Sequence, residues 1–236
     1  MIKKMFRRMF PKPVPFPSHE ASLQVLKERG FGPRYVVDVG AYRGSWTEMF
    51  KRFFPSAKVI MVEPQGSKAP FLNKVCAELN DVVYSDALVG AEHGKNVRFV
   101  EMETGSSVFE ESSDYERQYS EKTQTTLDHL LQNYPEFARL DFLKLDVQGY
   151  ELEALKGASK TLQNTELVLM EASFIPINKG CPLIGEVIAF MSARDFRLLD
   201  FCSQIRRNDG ALWQTDLLFI KNNSKHLPQP HLLKSE

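Results

Sequence analysis

Five acidic residues of this 236-residue chain stand at or near the ends of short apolar runs: Asp38, Glu63, Asp86, Asp146 and Glu171. A carboxylate there can accept hydrogen bonds from hydroxyl or amino groups, take a proton, or bind a cation. Asp38 leads into Gly40-Ala41-Tyr42-Arg43-Gly44. Glycines permit a tight turn and a close backbone approach to a ligand. A helix starting behind them offers free N–H groups and the positive end of its dipole. A dinucleotide loop is spaced Gly-x-Gly-x-x-Gly. Here the spacing is Gly-x-x-x-Gly, and Asp38 would repel a pyrophosphate while favouring an amino group or a sulfonium. The loop therefore points to S-adenosylmethionine (AdoMet), with Gly40, Ala41 and Gly44 nearest the ligand; a purely structural turn is the alternative.

The other four acids complete such a site. Glu63 is expected to accept both ribose hydroxyls. Asp86, with Ala87, is placed to receive an adenine amino group, or it is a plain turn residue. Asp146 is the first candidate for a base that takes the proton of an acceptor hydroxyl, and Glu171 the second. The two could instead share a divalent cation, which would acidify that hydroxyl. Asp146 could also be a structural acceptor for N–H groups at the start of the next helix, and Glu171 has a bland reading too. No histidine pair has metal-ligand spacing.

These residues need strands that end together. Apolar spacing predicts strands at 35–39, 58–62, 81–85, 97–101, 142–145 and 167–170, and helices at 18–30, 45–54, 67–79, 126–133, 151–162 and 183–193. Ser18 is the expected cap of the first helix, and Thr125 or Thr126 that of the fourth. Residues 104–123, rich in Gly, Ser and Glu, are expected to be a loop or lid. Two closing strands at 196–201 and 212–220, joined by a polar turn at 206–210, must pair antiparallel. Alternating strands and helices imply an α/β protein whose mostly parallel sheet is covered on both faces. Ligands of such sheets sit beyond the carboxyl ends of the strands. Residues 106–118, for the aromatic rings in and beside them, and residues 174–182, which follow Glu171 and so border that end, are expected to meet the substrate.

Composition fits one soluble globular domain: 43% apolar, 25% charged, with Lys+Arg and Asp+Glu equal at 30 each. A neutral chain has no global attraction for nucleic acid, so a nucleic-acid partner is not expected. The three cysteines are far apart, without Cys-x-x-Cys, and are expected as reduced thiols in a cytoplasmic protein. No apolar run reaches the roughly 20 residues of a membrane span. Residues 1–17 form a basic, then Pro-rich tail, read as disordered or as a weak peripheral membrane contact; residues 18–221 form the domain, and 222–236 a loose tail.

The segments VVDVGAYRGSW, IMVEP, TTLDHL, LKLDVQGYELEALKGA and LVLMEASF, in this order, resemble the FkbM family of AdoMet-dependent methyltransferases. The late Asp216-Leu217-Leu218-Phe219 also resembles the family's ending. The resemblance implies a Rossmann-like class I methyltransferase fold and O-methylation, mostly of sugar hydroxyls on glycans, glycolipids or glycosylated metabolites. It carries Asp38, Gly40 and Gly44 to the cofactor loop, Glu63 to the ribose, and Asp146 to the family's Asp-Val-Glu-Gly motif. Gln148 departs from that motif, where the family more often has Glu. The rival readings are a non-catalytic AdoMet- or nucleotide-binding module at a membrane surface, and an NAD-dependent oxidoreductase.

Overall fold

The computed structural model describes residues 17–101, 118–176 and 180–228. Helix α1 (His19–Glu28) starts where Ser18 accepts a hydrogen bond from the Ala21 N–H, so the expected cap is in place. Strand β1 (Tyr35–Val39), helix α2 (Ser45–Phe53), strand β2 (Lys58–Val62), helix α3 (Ala69–Glu78) and strand β3 (Val82–Ser85) follow in strict alternation. Strands β4 (Leu88–Val89), β5 (Asn96–Glu101) and β6 (Gln118–Thr125) and the short helix α4 (Leu127–Leu130) come next. The order closes with β7 (Leu140–Leu145), α5 (Glu151–Lys156), α6 (Ser159–Gln163), β8 (Thr165–Ser173), α7 (Ile184–Ser192), β9 (Phe196–Phe201), β10 (Ile205–Arg206) and β11 (Leu212–Lys221).

The main sheet runs β3-β2-β1-β7-β8-β11, with β9 and β10 both paired to the outer side of β11. The first five strands are parallel, and β11 is antiparallel to β8 and to β9. The expected closing strands therefore do pair antiparallel. Strand order reverses between β1 and β7, which makes the carboxyl ends of these two strands the natural crevice. One face packs on α4 to α7 around Val37, Ile60, Leu143, Val168 and Leu217. The other packs on α1 to α3 around Val36, Phe50, Phe142, Leu169 and Leu218. Phe142 meets Phe50 at 5.4 Å and Trp46 at 5.7 Å between ring centroids, so the second face is largely aromatic.

Two expectations change. Residues 118–123 are not loop: they belong to β6, which pairs antiparallel with β5 over residues 118–123 and parallel with β4 at Gln124 and Thr125 in a separate small sheet. The remainder of the expected lid lies outside the described residues. The expected loose tail packs on the domain as far as it is described: Ser224 is buried against Glu166, and His226 meets the Phe31 ring at 5.4 Å.

Candidate active site

The loops after β1 and β7 touch. Gly40 has φ +74°, and a Cβ there would lie 1.8 Å from the backbone oxygen of Asp146, so no side chain fits. The Asp146 N–H donates to Val39 O at 3.0 Å. Gly44, φ +84°, starts α2 without a side-chain cap; a Cβ there would press on Val75 at 2.9 Å. The N–H groups of Gly40 and Ala41 are not free for a ligand. Both donate to Val62 O, tying the loop to β2.

The carboxylates occupy different depths. Asp38 is fully buried, one residue short of the strand end. Its charge does not face a ligand as expected: it takes the Thr47 hydroxyl at 2.8 Å and pairs with Lys144 Nζ at 3.1 Å. The physical reason is depth: Asp38 lies before the end of β1, on the face that the helix α2 covers. Glu63 lies at the end of β2 and accepts the N–H of Tyr42 at 2.9 Å and of Gln65 at 3.0 Å. Each oxygen keeps a further lone pair for a ligand hydroxyl. Burial raises its pKa from the ordinary carboxylate value, against the hydrogen bonds from Gln65 and Tyr42. Asp86 is exposed after β3, and Ala87 N–H donates to the Ser85 hydroxyl at 3.4 Å.

Asp146 and Glu171 meet in one crevice. Leu145 pairs with Met170 across β7 and β8, so the two acids follow side by side. Asp146 receives Gln148 Nε2 at 3.1 Å and lies 3.5 Å from Lys144 Nζ. Glu171 has its pKa raised to about 9, first by burial and then by the charges of Asp146, Glu151 and Asp216. Glu151, raised to about 7 chiefly by burial, accepts the N–H groups of Val147 and Gly149 and so shapes the loop behind Asp146.

Lys144 was given no role from the sequence, and Asp216 and Gln148 were named there only through the family resemblance. Lys144, buried beside the Trp46 ring, donates to Gly40 O at 3.2 Å as well as pairing with the two aspartates; they hold its ammonium charged against burial. Asp216 faces Glu171 in register on β11 and binds His19 Nε2 at 2.9 Å. Gln148, with φ +54°, supplies an amide donor where a glutamate would face Asp146 with a second charge. A charged residue inside an apolar strand run, as in Leu143-Lys144-Leu145 and Asp216-Leu217-Leu218, was the available signal. Among the described residues no three His, Cys, Asp or Glu side chains group as a metal site.

AdoMet suits this end of the sheet. Glu63 keeps accepting capacity, and Trp46 Nε1, packed near Lys144, is buried with no acceptor among the described residues. Fold and crevice together define a class I, Rossmann-like methyltransferase. The profile of the methyltransferase FkbM domain matches residues 38–198, and the chain belongs to that family. It is thus an AdoMet-dependent methyltransferase. A search of curated proteins finds no match. Among solved structures, magnesium protoporphyrin IX methyltransferase from Synechocystis PCC 6803 with bound SAM is similar in fold. It is 12% identical, with 94% of this chain and 91% of that chain covered and a TM-score of 0.51. A proposed O-methyltransferase from Klebsiella pneumoniae is 12% identical, with 93% and 95% covered and a TM-score of 0.52.

Proposed function

We propose that the protein transfers the AdoMet methyl group to a hydroxyl oxygen, with a sugar hydroxyl of a glycan, glycolipid or glycosylated metabolite as acceptor. The observation that carries this reading is the placing of Asp146 and Glu171 side by side in a half-buried crevice beside the glycine loop. AdoMet supplies an electrophilic methyl on a positively charged sulfur. A hydroxyl is a weak nucleophile, so a nearby carboxylate that takes its proton contributes roughly 10²–10⁴ in rate. Asp146 is held in place by Lys144 and Gln148, whose donors fix its orientation toward the acceptor. Glu171 is the deeper group and the one that keeps its proton at neutral pH, its pKa raised to about 9. Glu63 takes the ribose, and Asp86 with Ala87 borders the adenine. Phe174, whose N–H is fixed by Trp213 O at 2.8 Å, leads from the crevice into the acceptor side.

The test is incubation of the purified protein with methyl-labelled AdoMet and glycan fractions, read by mass spectrometry. Label in a sugar methyl ether supports the reading. Label on nitrogen, or on a non-carbohydrate acceptor only, overturns it. Calorimetry with NAD separates the oxidoreductase alternative, which this site does not favour.

A further inference from the structure

Glu171 and Asp216 are direct partners in the antiparallel pairing of β8 and β11, on the same face of the sheet. Side chains so placed start roughly 4.5–5.5 Å apart at Cβ, and two carboxylates there cannot both ionise cheaply. The two acids are served unequally. Asp216 has a fixed donor, His19 Nε2 at 2.9 Å, brought over the sheet by α1, and Ser203 Oγ anchors its backbone N–H at 2.8 Å. Glu171 has no hydrogen-bond donor among the described residues. Facing it are Asp146 beyond β7, Glu151 on α5, the Cys181 thiol, Asp216 and Lys144. Lys144 is the one fixed cation there among the described residues, and its Nζ is already spent on Asp38, Asp146 and Gly40 O.

We propose that Asp216, held by His19, is a positioning residue that adds to burial and the other facing acids in keeping Glu171 neutral in the free protein, and that Glu171 gives up its proton when a sulfonium occupies the crevice. This rests on the reading of the site given above. Loading the methyl donor then arms the base before an acceptor arrives. The acceptor hydroxyl proton passes to the Glu171 carboxylate as the oxygen–carbon bond forms. The carbon–sulfur bond breaks with its electron pair going to sulfur. Sulfonium and carboxylate charges disappear together, leaving a neutral acid and a thioether. The Glu171 carboxylate is no longer stabilised once the sulfonium is gone, so the neutral acid of the free protein is restored in the same step.

The experiment is titration calorimetry of the full chain with AdoMet and with S-adenosylhomocysteine, in paired buffers of different ionisation enthalpy, from pH 6 to 10. The two ligands differ by one methyl and its charge. AdoMet should release about one more proton than S-adenosylhomocysteine near pH 8, and its affinity should rise by up to about tenfold per pH unit below the Glu171 pKa. Glu171→Gln should abolish the difference. Asp216→Asn removes the facing charge and should move the release window to lower pH. His19→Ala leaves the ionised pair without its donor and should move the window to higher pH. Equal proton release by both ligands, or shifts in the same direction in the two variants, would overturn the proposal. Failure of AdoMet to bind at all would instead overturn the reading of the site, and this proposal with it.

Discussion

Glu171→Gln should make the protein more stable, and increasingly so as pH rises. Glu171 has a pKa of about 9 in the folded chain against 4.5 for a free side chain, with burial the largest cause. Between those values the folded state keeps a proton that the unfolded state has lost. Folding stability therefore falls as pH rises through this window, because the unfolded state binds fewer protons there. The limiting slope is about 1.4 kcal/mol per pH unit, so pH 5 to 8 spans at most about 4 kcal/mol. The crevice borders solvent and its acids titrate together, so a loss of about 2–3 kcal/mol attributable to this one group is the working figure. Glutamine has nearly the same shape and does not titrate. Urea unfolding followed by tryptophan fluorescence, at several pH values and with equal m-values, gives the comparison. The wild-type and Glu171→Gln curves should coincide near pH 5 and diverge toward pH 8, with the variant above. Parallel curves would refute the buried, proton-holding state of Glu171. Glu151 is present in both proteins, so its own titration largely cancels.

Other perturbations test the rest of the site. Lys144→Met removes the cation between Asp38 and Asp146 and leaves a fully buried carboxylate unpaired; a loss of about 3–5 kcal/mol in urea unfolding is expected, partly recovered by adding Asp38→Asn. Gly40→Ala forces a Cβ against the Asp146 carbonyl at a positive φ. AdoMet binding by calorimetry should be lost together with at least about 2 kcal/mol of stability. Glu63→Ala removes the acceptor at the end of β2 and the tie to Tyr42 and Gln65, and AdoMet affinity should fall by at least about tenfold. Asp146→Asn should lower turnover by about 10²–10⁴ while changing AdoMet affinity little, measured by steady-state rates beside calorimetry.

Much of the architecture was legible because the parallel strands are buried on both faces and read as continuous apolar runs. The limits of β1 and β2 coincide with the expected ones, and each is followed by its expected helix. Strand β6 was not legible: Gln118-Tyr119-Ser120-Glu121-Lys122-Thr123 has no apolar alternation, and its strand form comes from backbone pairing with β5. The acids at the strand ends were legible for the same reason the strands were. Their partners were not, since nothing local tells a strand which distant strand it will face. Asp38 opposes Lys144, and Glu171 opposes Asp216, only through the order and register of the sheet.

That register explains how one crevice tolerates so many carboxylates. Alternation turns Asp38, Lys144, Glu171 and Asp216 to the same face, the one covered by α1 and α2. Most acids in or beside the crevice are answered by fixed donors. Asp38 has Lys144 and the Thr47 hydroxyl, and Glu63 and Glu151 each have two backbone N–H groups. Asp146 has Gln148 and Lys144, and Asp216 has His19. Glu171 alone, among the described residues, is answered by its own proton. A group stabilised by a fixed donor changes protonation only by losing that donor. A group stabilised by a proton changes state whenever another positive charge replaces it. Gln148 follows the same logic: it gives Asp146 a neutral donor and leaves Glu171 as the group through which the crevice responds to charge.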